Sequence, residues 1–139
     1  MKSGLSSLSK FDFFGVLLLR VGLGALVAYK GFPLLVSGTE TYERIGSAVS
    51  LIGIPSFHIL FGIASAVIQT VGGVFLILGV LTRGMALLLS IIVGFALANL
   101  ITHSSEIDSV MLVYAQVNLA LLALVFIGPG RLSLDRRGV

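Results

Sequence analysis

The sequence predicts an all-α fold: a transmembrane four-helix bundle with both termini cytoplasmic and a short amphipathic helix in the first outer loop. Three observations lead there. The first is composition. The 139 residues are 57% hydrophobic and only 11% charged, with a mean hydropathy of +1.12, whereas a soluble domain is about 25% charged. A domain of this size leaves roughly a third of its unfolded surface exposed, and fifteen charged side chains cannot cover that surface in water. Lipid is therefore the solvent for most of it, which excludes a nucleic-acid binder, a secreted disulfide scaffold and a disordered tail. The second observation is four apolar runs of membrane-spanning length, and the third is a segregation of the loop charges.

A hydrocarbon core about 30 Å thick needs about 20 apolar residues of helix. The runs are 13–36, 57–80, 84–102 and 110–128, within one domain over 1–139. The first carries Arg20 and Lys30 and is followed by no clear small-residue cleavage site. It therefore reads as a retained span and not a cleaved signal. Only Leu81, Thr82 and Arg83 separate the second run from the third, which implies a tight antiparallel hairpin. Small-residue pairs Gly24/Ala28, Gly62/Ala66 and Gly94/Ala98 suit close helix packing.

Lys2, Lys10, Arg83, Arg131, Arg136 and Arg137 fall on one side of the expected topology and only Arg44 on the other. The positive-inside rule then puts both termini and the Thr82–Arg83 turn in the cytoplasm. Glu40, Glu43, Glu106 and Asp108 fall outside. In the long first outer loop, Ser37 and Glu40 have capping-box spacing. Tyr42, Ile45, Val49 and Ile52 recur at helical spacing beside a polar face. This reads as a short amphipathic helix on the outer interface, serving either as a cover or as a functional lid. Gly53-Ile54-Pro55 ends it.

The polar residues inside the spans are the candidate site. His58, Gly62, Ser65, Gln69, Gly72 and Gly73 form one stripe on the second span, which should face the bundle interior because Gln69 sits near mid-bilayer. Gln69 either makes one interhelical hydrogen bond or lines a cavity. Arg20 either snorkels to headgroup phosphates or holds an acidic or carbonyl-bearing ligand. Tyr29, Lys30, His58, Asn99, His103 and Gln116 all belong to the outer half, and this clustering argues for a pocket there. Arg20, Lys30, His58, Gln69, Asn99, His103 and Gln116 are therefore the candidate ligand-binding residues; no catalytic residue is singled out.

The chain has no cysteine and two histidines, both at span ends, which disfavours thiol chemistry, a metal site and bis-histidine haem. The donors instead suit a neutral carbonyl-bearing ring that arrives through lipid. Quinones have that character, and none of these residues implies a covalently held cofactor.

Several motifs resemble the DoxX family of small membrane proteins. Leu18-Leu19-Arg20-Val21-Gly22-Leu23-Gly24 looks like its LLR-x-x-x-G opening. Ile52-Gly53-Ile54-Pro55 is similar to its L-G-[IL]-P approach to the second helix. Gly72-Gly73 through Leu81-Thr82-Arg83 resembles its GG-x-L-L-x-x-G-L-x-T-R signature, and Leu124 to Arg136 its closing GPGRxSLD. Two positions depart from the pattern. Gln69 stands where the family often has an acid. Lys30 and Leu34 stand where it commonly has His and Lys.

The resemblance implies a four-helix plasma-membrane protein, in some members a subunit of a thiosulfate:quinone oxidoreductase and in others a protein tied to redox stress. The leading expectation is a quinone-interacting subunit of a membrane oxidoreductase, supplied with electrons by a soluble substrate or a redox partner protein. The alternative is a non-catalytic accessory or assembly module for a partner membrane protein. Small-solute transport is a third reading, which needs a homo-oligomer because four spans are few for a transporter.

Overall fold

A long apolar stretch with no proline before Pro33 builds the first helix, α1, over Asp12–Val36. At about 1.5 Å per residue it is about 37 Å long, more than a hydrocarbon core requires. The computed structural model describes residues 11–135. Lys2, Lys10, Arg136 and Arg137, four of the six basic residues behind the expected orientation, lie outside that range. Within it follow α2 (Thr39–Gly46), α3 (His58–Leu78), α4 (Thr82–His103) and α5 (Ser109–Ile127), and no strand occurs among the described residues. The chain is thus all-helical, and α1, α3, α4 and α5 are each long and apolar enough to cross a membrane.

Backbone geometry explains where the helices stop. Gly79 ends α3 at φ +75°, a left-handed conformation that costs a residue with a Cβ about 1–2 kcal/mol. Leu81 adopts φ +47° without that freedom, so the chain reverses within three residues and Thr82 already opens α4. Asp108 caps α5 by accepting the Ser109 amide at 2.6 Å.

The expected capping box does not form. Gly38, at φ +90°, precedes α2 and supplies no side-chain cap, while the Ser37 hydroxyl donates back to the Pro33 carbonyl and closes the end of α1. Nor does a single helix carry the whole Tyr42–Ile52 periodicity. After Gly46 the chain tightens to a 3-10 helix over Ser47–Ile52. The tighter winding keeps Val49 buried and turns Ile52 outward.

Packing is closest where small residues meet. A Cβ on Gly24 would lie 2.5 Å from the Gly73 carbonyl oxygen, and one on Gly73 would lie 2.6 Å from that of Gly24, so α1 and α3 touch backbone to backbone. Likewise α2 is pressed onto the first half of α3: a Cβ on Gly62 would lie 2.0 Å from the Tyr42 carbonyl oxygen. The third expected pair behaves differently. Only the Asn118 amide nitrogen approaches Gly94, at 3.5 Å, and Ala98 is exposed. The shared core of Leu23, Val27, Leu76, Leu89, Val93, Leu121 and Leu124 fills the middle.

At the end of the bundle where α1 begins, residues 128–135 fold back over the helices. Arg20 is 2% exposed and donates from Nη1 to the Pro129 carbonyl and from Nη2 to the Leu132 carbonyl, at 2.5 and 2.7 Å. The amide of Asp135 donates to the Gly79 carbonyl at 3.0 Å. Its carboxylate accepts the Leu81 and Thr82 amides at 2.6 and 2.9 Å, which satisfies free donors at the start of α4. Burial pushes the Asp135 carboxyl up, but those amides and the Arg20 charge outweigh it and hold the group below the usual carboxylate range. Arg20 thus neither snorkels nor faces a ligand cavity. The carbonyls it holds belong to its own chain.

Candidate functional site

Among the described residues are two recesses wide enough for a ligand. The one inside the bundle has a volume of about 250 Å³ and takes wall residues from all four spans: Val27 and Lys30 of α1, Gln69 of α3, Val93 of α4, and Tyr114 and Val117 of α5, with Leu26, Tyr29 and Val113 at its side. Its walls are chiefly aliphatic, with polar atoms from few side chains.

Lys30 and Gln69 reach it for local reasons. Gly31 lets α1 lie against α3 at the level of Gln69: a Cβ there would sit 2.7 Å from the Gln69 Cβ. That contact brings Lys30, one residue earlier, to the same cavity. The Lys30 ammonium stands 5.5 Å from the centroid of the Tyr114 ring, within cation–π range. Neither Lys30 nor Gln69 takes part in any side-chain hydrogen bond among the described residues. An amide and an ammonium set within an apolar span are costly without partners, and both border a void. Gln69 therefore does not form the interhelical hydrogen bond that is one of its two expected roles.

The other candidates are elsewhere. Arg20 lies at the opposite end of α1. His58 is 2.8 Å from the Ser50 hydroxyl through Nε2 and borders a wider, shallower groove of about 520 Å³ with Glu43, Phe57 and Leu60. His103 donates from Nδ1 to the Asn99 carbonyl one turn earlier, at 2.9 Å. Gln116 is exposed on the outside of α5. The expected gathering of seven polar residues is thus a pair, Lys30 and Gln69: Arg20 and His58 stand ten and eleven residues away along their helices, about 15 Å or more, and helical phase turns Gln116 to another face.

Tyr114 is absent from the candidate ligand-binding residues of the sequence, though its half-turn offset from Gln116 could have marked it. Among the described residues no three His, Cys, Asp or Glu side chains cluster to hold a metal ion.

Four apolar spans around a sparsely polar internal cavity define a small multi-pass membrane protein. The DoxX family model matches residues 15–104, more than half of the chain, and the chain belongs to the DoxX family. That match takes in α1 to α4; α5 and the folded-back segment lie beyond it. No curated protein and no solved structure matches the chain.

Proposed function

We propose that this DoxX-family protein binds the ring of a quinone in the cavity between its spans, as the membrane subunit of an oxidoreductase whose electrons come from a soluble substrate or a partner protein. One observation carries the reading: two unpaired hydrogen-bond donors, the Lys30 ammonium and the Gln69 amide, border the same apolar void beside an aromatic ring. Size supports it. A cavity of about 150 Å³ admits benzene, and this one, at about 250 Å³, has room for a substituted single ring. A bound quinone would supply the capacity to accept electrons and protons. Lys30 and Gln69 would donate to its carbonyl oxygens, Lys30 would stabilise negative charge gained on reduction, and Tyr114 would offer a face for the ring.

The membrane orientation belongs to the same proposal. Arg83 and Arg131 lie at the end carrying the folded-back segment, and Glu40, Glu43, Glu106 and Asp108 at the other. With the basic residues outside the described range, this favours a cytoplasmic location for both termini in the plasma membrane.

The test is a titration of the purified protein with a short-chain ubiquinone or menaquinone analogue, followed by quenching of its tyrosine fluorescence. Saturable binding is expected, weakened about tenfold or more by Lys30→Met and by Gln69→Leu. Absence of saturation, or indifference to both substitutions, sinks the reading.

A further inference from the structure

The cavity has one closed side and one open side. Val27 and Val93, on its inner wall, are 5% and 7% exposed. Leu26, Tyr29 and Val113 are 58%, 80% and 52% exposed, and they come from α1 and α5, spans that pack sparsely against each other. The mouth of the cavity is therefore the seam between α1 and α5. Its depth follows from the helix rise. Val113 is four residues from the start of α5, and Tyr29 and Leu26 are seven and ten residues from the end of α1. At about 1.5 Å per residue these positions lie about 6 to 15 Å inside the spans. A molecule that uses this mouth comes sideways from the hydrocarbon and not from water. The void holds one ring, so any chain attached to that ring must stay in the seam.

We infer that the ligand carries a long hydrocarbon tail, loads laterally between α1 and α5, and leaves its tail against Leu26, Tyr29 and Val113 while its ring enters. This rests on the ring-binding reading above and adds the route and the tail. Tyr29 fits the role of lip: its ring offers apolar surface to a tail, and its hydroxyl has no hydrogen-bond partner among the described residues.

The experiment uses the whole chain in phosphatidylcholine nanodiscs. Two probes are titrated, a decyl-substituted benzoquinone and the same ring without the tail, each expressed per mole of lipid so that partitioning cancels. The tail-bearing probe should bind more than about tenfold more tightly. Leu26→Trp and Val113→Trp narrow the mouth at exposed positions. Each should cost the tail-bearing probe about tenfold and the tail-less probe a clearly smaller factor. Two variants at separate helices guard against one that misfolds, and thermal unfolding checks both.

Equal affinity for the two probes, unmoved by either tryptophan, overturns the lateral route while leaving ring binding intact. Failure of both probes to saturate overturns ring binding, and the lateral route with it. Displacement of the bound tail-bearing probe by a tail-only alkyl amide, at equal membrane concentration, assigns the cavity to lipid chains and overturns the inference as well.

Discussion

Arg20 and Lys30 stand ten residues apart on α1 and are the two basic residues its apolar stretch carries, yet they meet opposite surroundings. Arg20 is sealed in protein, its guanidinium engaged by two carbonyls of the folded-back segment. Lys30 is open to a void, with an aromatic face as its nearest described partner. A basic residue in a span is costly either way. In the first region the cost is offset by holding the chain together. In the second the side chain is exposed and its described partner is the Tyr114 ring face, an imbalance that supports the proposed ligand site.

The sharpest way to break the comparison is to remove each charge in turn. Arg20→Met leaves two carbonyls of the folded-back segment without their charged donor and frees residues 128–135. It should lower stability by about 3 kcal/mol, given about 1.5–3 for each hydrogen bond to a charged group, and expose that segment to protease. Lys30→Met should change stability by less than about 0.5 kcal/mol while weakening quinone-analogue binding. Thermal unfolding in detergent measures the first effect. Equal destabilisation by the two substitutions would erase the distinction.

Gly79→Ala probes the same end from the other partner. A Cβ there would lie 2.7 Å from the Ser133 Cβ and 2.8 Å from Arg20 Nη1, on a backbone at φ +75°. The strain of that conformation alone is about 1–2 kcal/mol, and the crowding should add to it, again with release of the folded-back segment. Ligand affinity should be unaltered, because the cavity is built from residues farther along the spans.

Acid provides a milder test. The Asp135 carboxyl is held below its ordinary range, so its folded value lies under the unfolded one of about 3.9. Its contribution is fully present above that unfolded value and is lost as pH falls through the folded one. Proteolysis of residues 128–135 should therefore accelerate only below about pH 4. Asp135→Asn, which retains a capping oxygen, should flatten that acid dependence at a cost of about 1 kcal/mol or less at neutral pH.

These outcomes also bear on what the sequence could reveal. The four spans were legible because a continuous apolar run of that length has few other uses, and the α3 stripe was legible because its glycines and Gln69 share one helical face. Arg20 stands out in the sequence, but its role does not. Its partners lie 109 and 112 residues away, and no local spacing reports a carbonyl contributed by a distant fold-back. The capping box failed for a local reason: the Ser37 hydroxyl donates to the Pro33 carbonyl one turn back, and Gly38 takes the cap position of the next helix. Lys30 and Gln69 were legible as polar residues in apolar spans, but their meeting depends on Gly31, a packing contact that neither side chain announces. His103 and Asn99 do share one face, as their spacing implies, and there the histidine bonds to the backbone of its own helix.

The smallest expected effect concerns a polar pair that resembles the cavity residues in sequence and differs from them in the fold. The Ser90 hydroxyl donates to the Asn118 side-chain oxygen at 2.6 Å, joining α4 to α5. Interhelical bonds of this kind average about 0.6 kcal/mol in membranes, because the separated helices find other partners. A double-mutant cycle with Ser90→Ala and Asn118→Leu should give a coupling of about that size, and neither substitution should alter the binding of a quinone analogue. A coupling near zero would mean that the two side chains act independently, and Asn118 would then have to be counted with Gln69 as an unpaired amide inside the bundle. A measurable coupling with unchanged binding points the other way. It would mean that polarity within a span does not by itself indicate a site, and that the signal is polarity left without a partner beside a space large enough to supply one.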